Sequence, residues 1–343
     1  MSESVFNVVA FGRQSDIATA VAASTVFPVD AGFMGFELDR ATESPDEDFG
    51  SASREYPGRE SHGVRWATAS LPFVGRFEDF MHVMEMHVDT IGTPTGTAAP
   101  YQWVYTYDDT GTLLNTALKP YTIEYGVDGS TQDEWQAYGV IANGFDFGFD
   151  ALSAPGNSMW KGSLDLVAVA RIQNALTGTA TAPATLETME GHLTTIAEGA
   201  TSTAFGSLSA VSATLKQFHF KSDLNAAGRV YGSASDLATA IGRNGKGTIE
   251  FDALLAISST TKSDILDIYN VAGSVATERR WRITCTGSGN NSLIIDFRGR
   301  FRSVNIGEHD GERLYAVNGV WVYDSTLAGR GSFTLANAVT TIP

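Results

Sequence analysis

The feature that most constrains this chain is a repeat inside it. Gly58 to Met84 reads GRESHGVRWATASLPFVGRFEDFMHVM, and Gly242 to Tyr269 reads GRNGKGTIEFDALLAISSTTKSDILDIY. Each opens on Gly-Arg and, after three intervening residues, reaches a Gly, at Gly63 and Gly247. Each then runs into a strand pattern, VRWATASLPF or TIEFDALLAI, and closes on an acidic-started helix pattern, EDFMHVM or SDILDIY. The match continues in both directions. Phe36-Glu37-Leu38-Asp39 is answered by Phe218-His219-Phe220-Lys221, Tyr121 by Trp281 and Ile123 by Ile283. Self-similarity of this kind marks one supersecondary unit used twice, so the chain reads as two copies of one β-rich unit.

At 343 residues the chain has room for about two domains. The expected boundaries are an N-terminal strand and arm at 1–35, a first unit at 36–176, an Ala/Thr/Ser/Gly-rich linker at 177–214 with a short helix at Leu186 to Ile196, and a second unit at 215–343. Charged residues make up only 18%, which suits strands and turns more than long solvent-facing helices. No apolar run is long enough to span a bilayer, so no membrane is expected. The single cysteine, Cys285, excludes an internal disulfide and reads as a small buried strand residue.

The formal net charge is −16, with 24 acids against 9 Lys/Arg up to Gly178 and 15 against 14 after it. An acidic chain is a poor phosphate binder, because phosphate contacts need Lys and Arg. FDFGFD alternates Phe145, Phe147 and Phe149 with Asp146, Gly148 and Asp150, so Asp146 and Asp150 share the face opposite the core. DFRGRFRSV likewise sets Arg298, Arg300 and Arg302 opposite Phe297, Gly299 and Phe301. Its guanidinium row suits carboxylates of the acidic half, Asp46, Glu47 and Asp48 or Asp108 and Asp109. The first copy also carries an insertion at 92–120, in which Tyr101, Trp103, Tyr105 and Tyr107 precede an Asp-Thr-Gly turn and a return strand at Thr112 to Leu114. It reads as a hairpin with a task outside the unit.

No constellation for chemistry emerges. The run from Gly242 to Thr248 leads into a strand and lacks the Ser or Thr that a phosphate loop places after its Lys. His82 and His87 have the wrong spacing for a helical zinc pair. No enzyme activity, metal or cofactor is expected.

The arrangement resembles the major tail tube proteins of long-tailed bacteriophages, over about Phe11 to Ala338. The likeness rests on the Gly12-Arg13-Gln14-Ser15 start, the helix after the second strand, and the strand with internal Gly in AYGVIANGFDF. It implies a mainly β chain of two tandem β-sandwich or half-barrel tail-tube domains, each with a short flanking helix. Strands would join between subunits into rings, and rings would stack into a hollow tube through which viral DNA passes without specific binding. Most relatives have one such domain and form hexamers, so two domains imply three chains per ring with pseudo-sixfold symmetry. The partners implied are the chain itself, tape-measure, tail-tip and tail-terminator proteins. The implied location is the virion tail, after synthesis in the host bacterial cytoplasm. On this reading Asp146 and Asp150 face the bore, the Arg row with its acidic partners lies at a subunit contact, and the insertion bridges rings. Two other readings use the same pattern: the inner tube of a contractile tail or secretion system, and a carbohydrate-binding β-sandwich with Trp103, Tyr105 and Tyr107 as a platform.

Overall fold

The computed structural model describes residues 8–30, 32–43, 61–88, 94–107, 118–127, 133–150, 158–183, 185–211, 215–229, 240–243, 247–257, 265, 278–309 and 311–342. It is mainly β, with one large antiparallel sheet and a single α-helix among the described residues.

The first half contributes β1 (Val8–Arg13), β2 (Thr25–Val26), β3 (Glu37–Glu43), β4 (Ser61–Val74), α1 (Phe80–His87), β5 (Tyr101–Thr106), β6 (Tyr121–Gly126), β7 (Glu134–Asp150), β8 (Lys161–Ala168) and β9 (Ala170–Gln173). The second half contributes β10 (Thr194–Gly199), β11 (Ser209–Ala210), β12 (Leu215–Asp223), β13 (Ala226–Arg229), β14 (Ala240–Arg243), β15 (Thr248–Ala256), β16 (Glu278–Thr286), β17 (Ser292–His309), β18 (Glu312–Val322) and β19 (Gly331–Asn337).

The pairings repeat strand for strand. In the first half β2 pairs β1, β1 pairs β6, and β6 pairs the start of β7, whose other side takes β9. The end of β7 pairs β8, β8 pairs β4, and β4 pairs β3. In the second half the same order runs β11, β10, β16, then β17 with β19 on its other side, followed by β18, β15 and β12. Ile123 lies opposite Phe11 and Ile283 opposite Ile196, and Tyr121 and Trp281 are both fully buried.

This equivalence gives the arm and the linker their place. The arm holds β1 and β2, and the 177–214 stretch holds β10 and β11, which fill the same two positions in the second unit. The helix expected at Leu186 to Ile196 does not form. A 3-10 turn at Gly191–Leu193 runs into β10 instead, since Thr194, Thr195 and Ile196 are β-branched and fit a pleated surface better than a helix.

The long strands β7 and β17 change neighbours along their length, β7 from β6 and β9 to β8 and β12, and β17 from β16 and β19 to β18. Each has a bulge, at Ala142/Gly144 and at Phe301/Ser303, and bulges let a strand bend from one layer into the other. Glycine is obligatory at Gly139, at a separate irregularity where β7 pairs β6, because its φ is +62° and a Cβ there would meet Ile17 O at 2.5 Å. One hydrophobic cluster contains residues of both halves and fills the space between the layers.

Helix α1 lies inside that space, not on its flank. All eight of its residues are buried, so the expected one-sided stripe of Phe80, Met81, Val83 and Met84 is joined by buried polar groups. Each of these finds a partner. Glu85 Oε1 accepts from Arg13 at 2.5 Å and Oε2 accepts from the Tyr121 hydroxyl at 2.8 Å. That hydroxyl in turn accepts from His82 Nδ1 at 3.2 Å. Burial drives the His82 pKa down to about 4, so the ring is neutral at pH 7, while burial raises that of Glu85 against the pull of Arg13 and Tyr121. Gln14 Oε1 accepts from Gly139 N–H at 2.7 Å, so the Gly-Arg-Gln start ties β1 to both helix and sheet. The second helix expected at Ser263 to Tyr269 lies outside the described residues apart from Ile265.

Candidate functional site

The two halves meet where β7 pairs antiparallel with β12, from Asp150 opposite Gln217 to Gly144 opposite Asp223. Alternation gives this seam two unlike faces. On the inner face Phe145, Phe147 and Phe149 of β7 and Phe218 and Phe220 of β12 are all buried. Phe220 lies edge-on to Phe145 with centroids 5.0 Å apart, and packs 5.3 Å from Trp321 and 5.5 Å from Phe333. A further bond crosses the seam from helix α1. His87 donates through Nδ1 to Ala142 O and accepts through Nε2 from the Ser222 hydroxyl, both at 2.9 Å.

The outer face is polar and draws on five strands, β7, β12, β15, β18 and β17. Asp146 and Asp150 lie on it, as alternation predicts, partly exposed and opposite Lys221 and Gln217. Gly148 lies opposite His219, where a Cβ would come within 2.6 Å of the imidazole, so glycine lets the ring lie across β7. On the far side of β12, Asp252 is opposite His219 and Glu250 is opposite Lys221. Asp146, Gln217, His219, Lys221, Glu250 and Asp252, with Arg302 and Asn318, line an open groove of about 490 Å³. Asp146, Glu250 and Asp252 thus face Lys221, Arg302 and a titratable His219, with Asp150 further along the same face of β7. Burial works against the His219 cation, but the nearby Asp146, at 4.0 Å, with Asp252 and Asp150 outweighs it and raises the His219 pKa. Burial raises the Asp252 pKa as well. The groove therefore gains positive charge before pH falls to the ordinary carboxylate range. His219, Lys221, Glu250 and Asp252 were not singled out from the sequence, although FHFK and IEFD carry the same alternation as FDFGFD.

The arginine row has its described partners inside the chain. Arg298 and Arg300 both bind Glu278, the latter through Nε at 2.7 Å, and Arg302 binds Glu250 at 2.5 Å. Arg302 is the extra residue of the β17 bulge, which places it on the groove face. Of the carboxylates expected to receive the row, Asp46, Glu47, Asp48, Asp108 and Asp109 all lie outside the described residues.

The described part of the insertion does not stand away from the sheet. Its strand β5 pairs with β19 of the other half, Tyr105 opposite Phe333 and Trp103 opposite Leu335. Trp103, Tyr105 and Tyr107 are buried and Tyr101 is half-buried, so these rings are core packing and present no platform. The return strand at Thr112 to Leu114 falls outside the described residues.

Among the described residues, no group of three or more His, Cys, Asp or Glu side chains is placed to hold a metal ion. Cys285 is buried, with its pKa pushed up by burial to about 11, which leaves it protonated and inert at pH 7. No helix among the described residues is long and apolar enough to cross a membrane. Compared with protein-family models and with curated proteins, the sequence matches none.

Proposed function

We propose that this chain is a structural subunit of a bacteriophage tail tube, assembling as stacked rings of three chains around a bore that passes DNA. The observation that carries this reading is that one strand order occurs twice and the two copies are joined edge to edge by β7 and β12. A repeat joined head to tail is one step of a rotation, and such a rotation either closes into a ring or runs on as a filament. Two copies per chain make three chains the counterpart of a six-unit ring.

The polar groove face supports the same reading. Across the seam it carries more carboxylates than fixed cations, and a surface facing DNA should not hold phosphate tightly, because each neutralised phosphate adds affinity. A continuous β surface also offers little to unfold or snag as a polymer passes. Its principal partner is another copy of itself, with tape-measure, tip and terminator proteins acting at the ends of the tube.

The test is to concentrate the purified full chain and follow it by light scattering after size exclusion and by negative-stain microscopy. The expected particle has three times the 36.6 kDa chain mass, with annular end views or tubes. A monomer at every concentration and salt would overturn the reading.

A further inference from the structure

Resting on that reading, we infer which surfaces close the ring: the outer edge of β3 on one copy pairs antiparallel with the Ser303 to His309 edge of β17 on the next. The inference follows from the strand equivalence. At the seam within the chain, the end of β7 takes β8 on one side and β12 on the other. The counterpart of β7 is β17, whose end takes β18 on one side and, among the described residues, no strand on the other. The counterpart of β12 is β3, which takes β4 on one side and likewise no strand on the other. The two open edges are thus the same two surfaces that meet at the seam, and they lie at opposite ends of the joined sheet. They can meet only between copies.

Side-chain burial points the same way. At the seam, the inward residues Phe147 and Phe220 are 0% and 1% exposed. On the open edges, Leu38 follows the buried Phe36 with strand spacing and Ile306 follows the buried Val304, so both point to the core side. Yet Leu38 is 53% and Ile306 is 58% exposed. Among the described residues they are two of the large apolar side chains left in solvent, one on each edge without a neighbouring strand. An exposed strand edge with uncovered apolar side chains is a template for a further strand. The contact is head to tail, since β3 and β17 are different surfaces, so no twofold dimer satisfies it.

Two variants test it, Leu38→Asp and Ile306→Asp. Both positions are exposed, so each variant should melt like the parent chain. Each should lose rings at concentrations where the parent forms them. Mixed in equal amounts, each variant still offers one intact edge, so the mixture should give a dimer of twice 36.6 kDa that grows no further. Rings formed by either variant alone, or a homodimer of one variant, or a mixture that stays monomeric while the parent forms rings, would each overturn this pairing and leave the tube reading standing. A parent chain that never assembles would overturn both.

Discussion

Phe220→Ala should weaken both halves at once. Phe220 is 1% exposed and touches Phe145 and Phe147 from the first half and Trp321 and Phe333 from the second. A buried Phe removes roughly 150–250 Å² from water. At about 25 cal/mol per Å² that is about 4–6 kcal/mol, an upper bound because unfolded chains already bury part of this area. Phe→Ala changes in cores cost about 3–5 kcal/mol, so the expected loss is about 4 kcal/mol. Against a total stability on the order of 5–15 kcal/mol, this is a large fraction. The assay is urea unfolding at one fixed dilution, because assembly would add stability by mass action. Tryptophan fluorescence and far-UV circular dichroism should give coincident transitions that shift together to lower urea. A cycle with Phe145→Ala should return a coupling of about 0.5–1.5 kcal/mol for the edge-on pair. Two separated transitions, only one of them moved, would refute the reasoning that the seam makes the halves a single cooperative body. A loss below about 1 kcal/mol would refute the packing estimate.

Two other outcomes follow from buried charge. Arg280 forks onto Asp324 at 2.8 and 2.9 Å and also reaches Thr203 O and the Thr326 hydroxyl, all within the second half. Arg280→Ala strands the Asp324 carboxylate and should cost about 3–5 kcal/mol in chemical denaturation; a loss under about 1 kcal/mol would count against the buried pair. Asp79, beside helix α1, has its pKa raised from 3.8 to about 7 by burial, with Arg76 only partly opposing. Since the folded pKa exceeds the unfolded one, its contribution is fully present below pH 3.8 and is lost as pH rises through 7. Asp79→Asn should flatten that decline and stabilise the chain at pH 8 by up to about 4 kcal/mol, and an unchanged stability-against-pH curve would refute it.

Much of this was legible in the chain itself. Period-two alternation says which residues share a face, so the buried Phe145, Phe147 and Phe149 and the outward Asp146 and Asp150 could be read from six letters. The repeat could be read as well, because the same facing requirements recur wherever the same unit recurs. What alternation does not encode is which strand lies alongside. Strand β5 looks like half of a local hairpin, yet it pairs with β19 more than two hundred residues later. The stretch before β12 looks like a linker, because Thr and Ala carry little apolar contrast, yet it supplies β10 and β11. Arg302 looks like the third member of a regular row, yet a bulge turns it onto the groove face, where it reaches Glu250 on β15, beyond the intervening β18. Pairing across the chain is decided by which edges remain open once the core has closed, and that depends on the whole sheet. For the same reason the two edges that lack a neighbour among the described residues, β3 and the end of β17, became visible only in the tertiary structure.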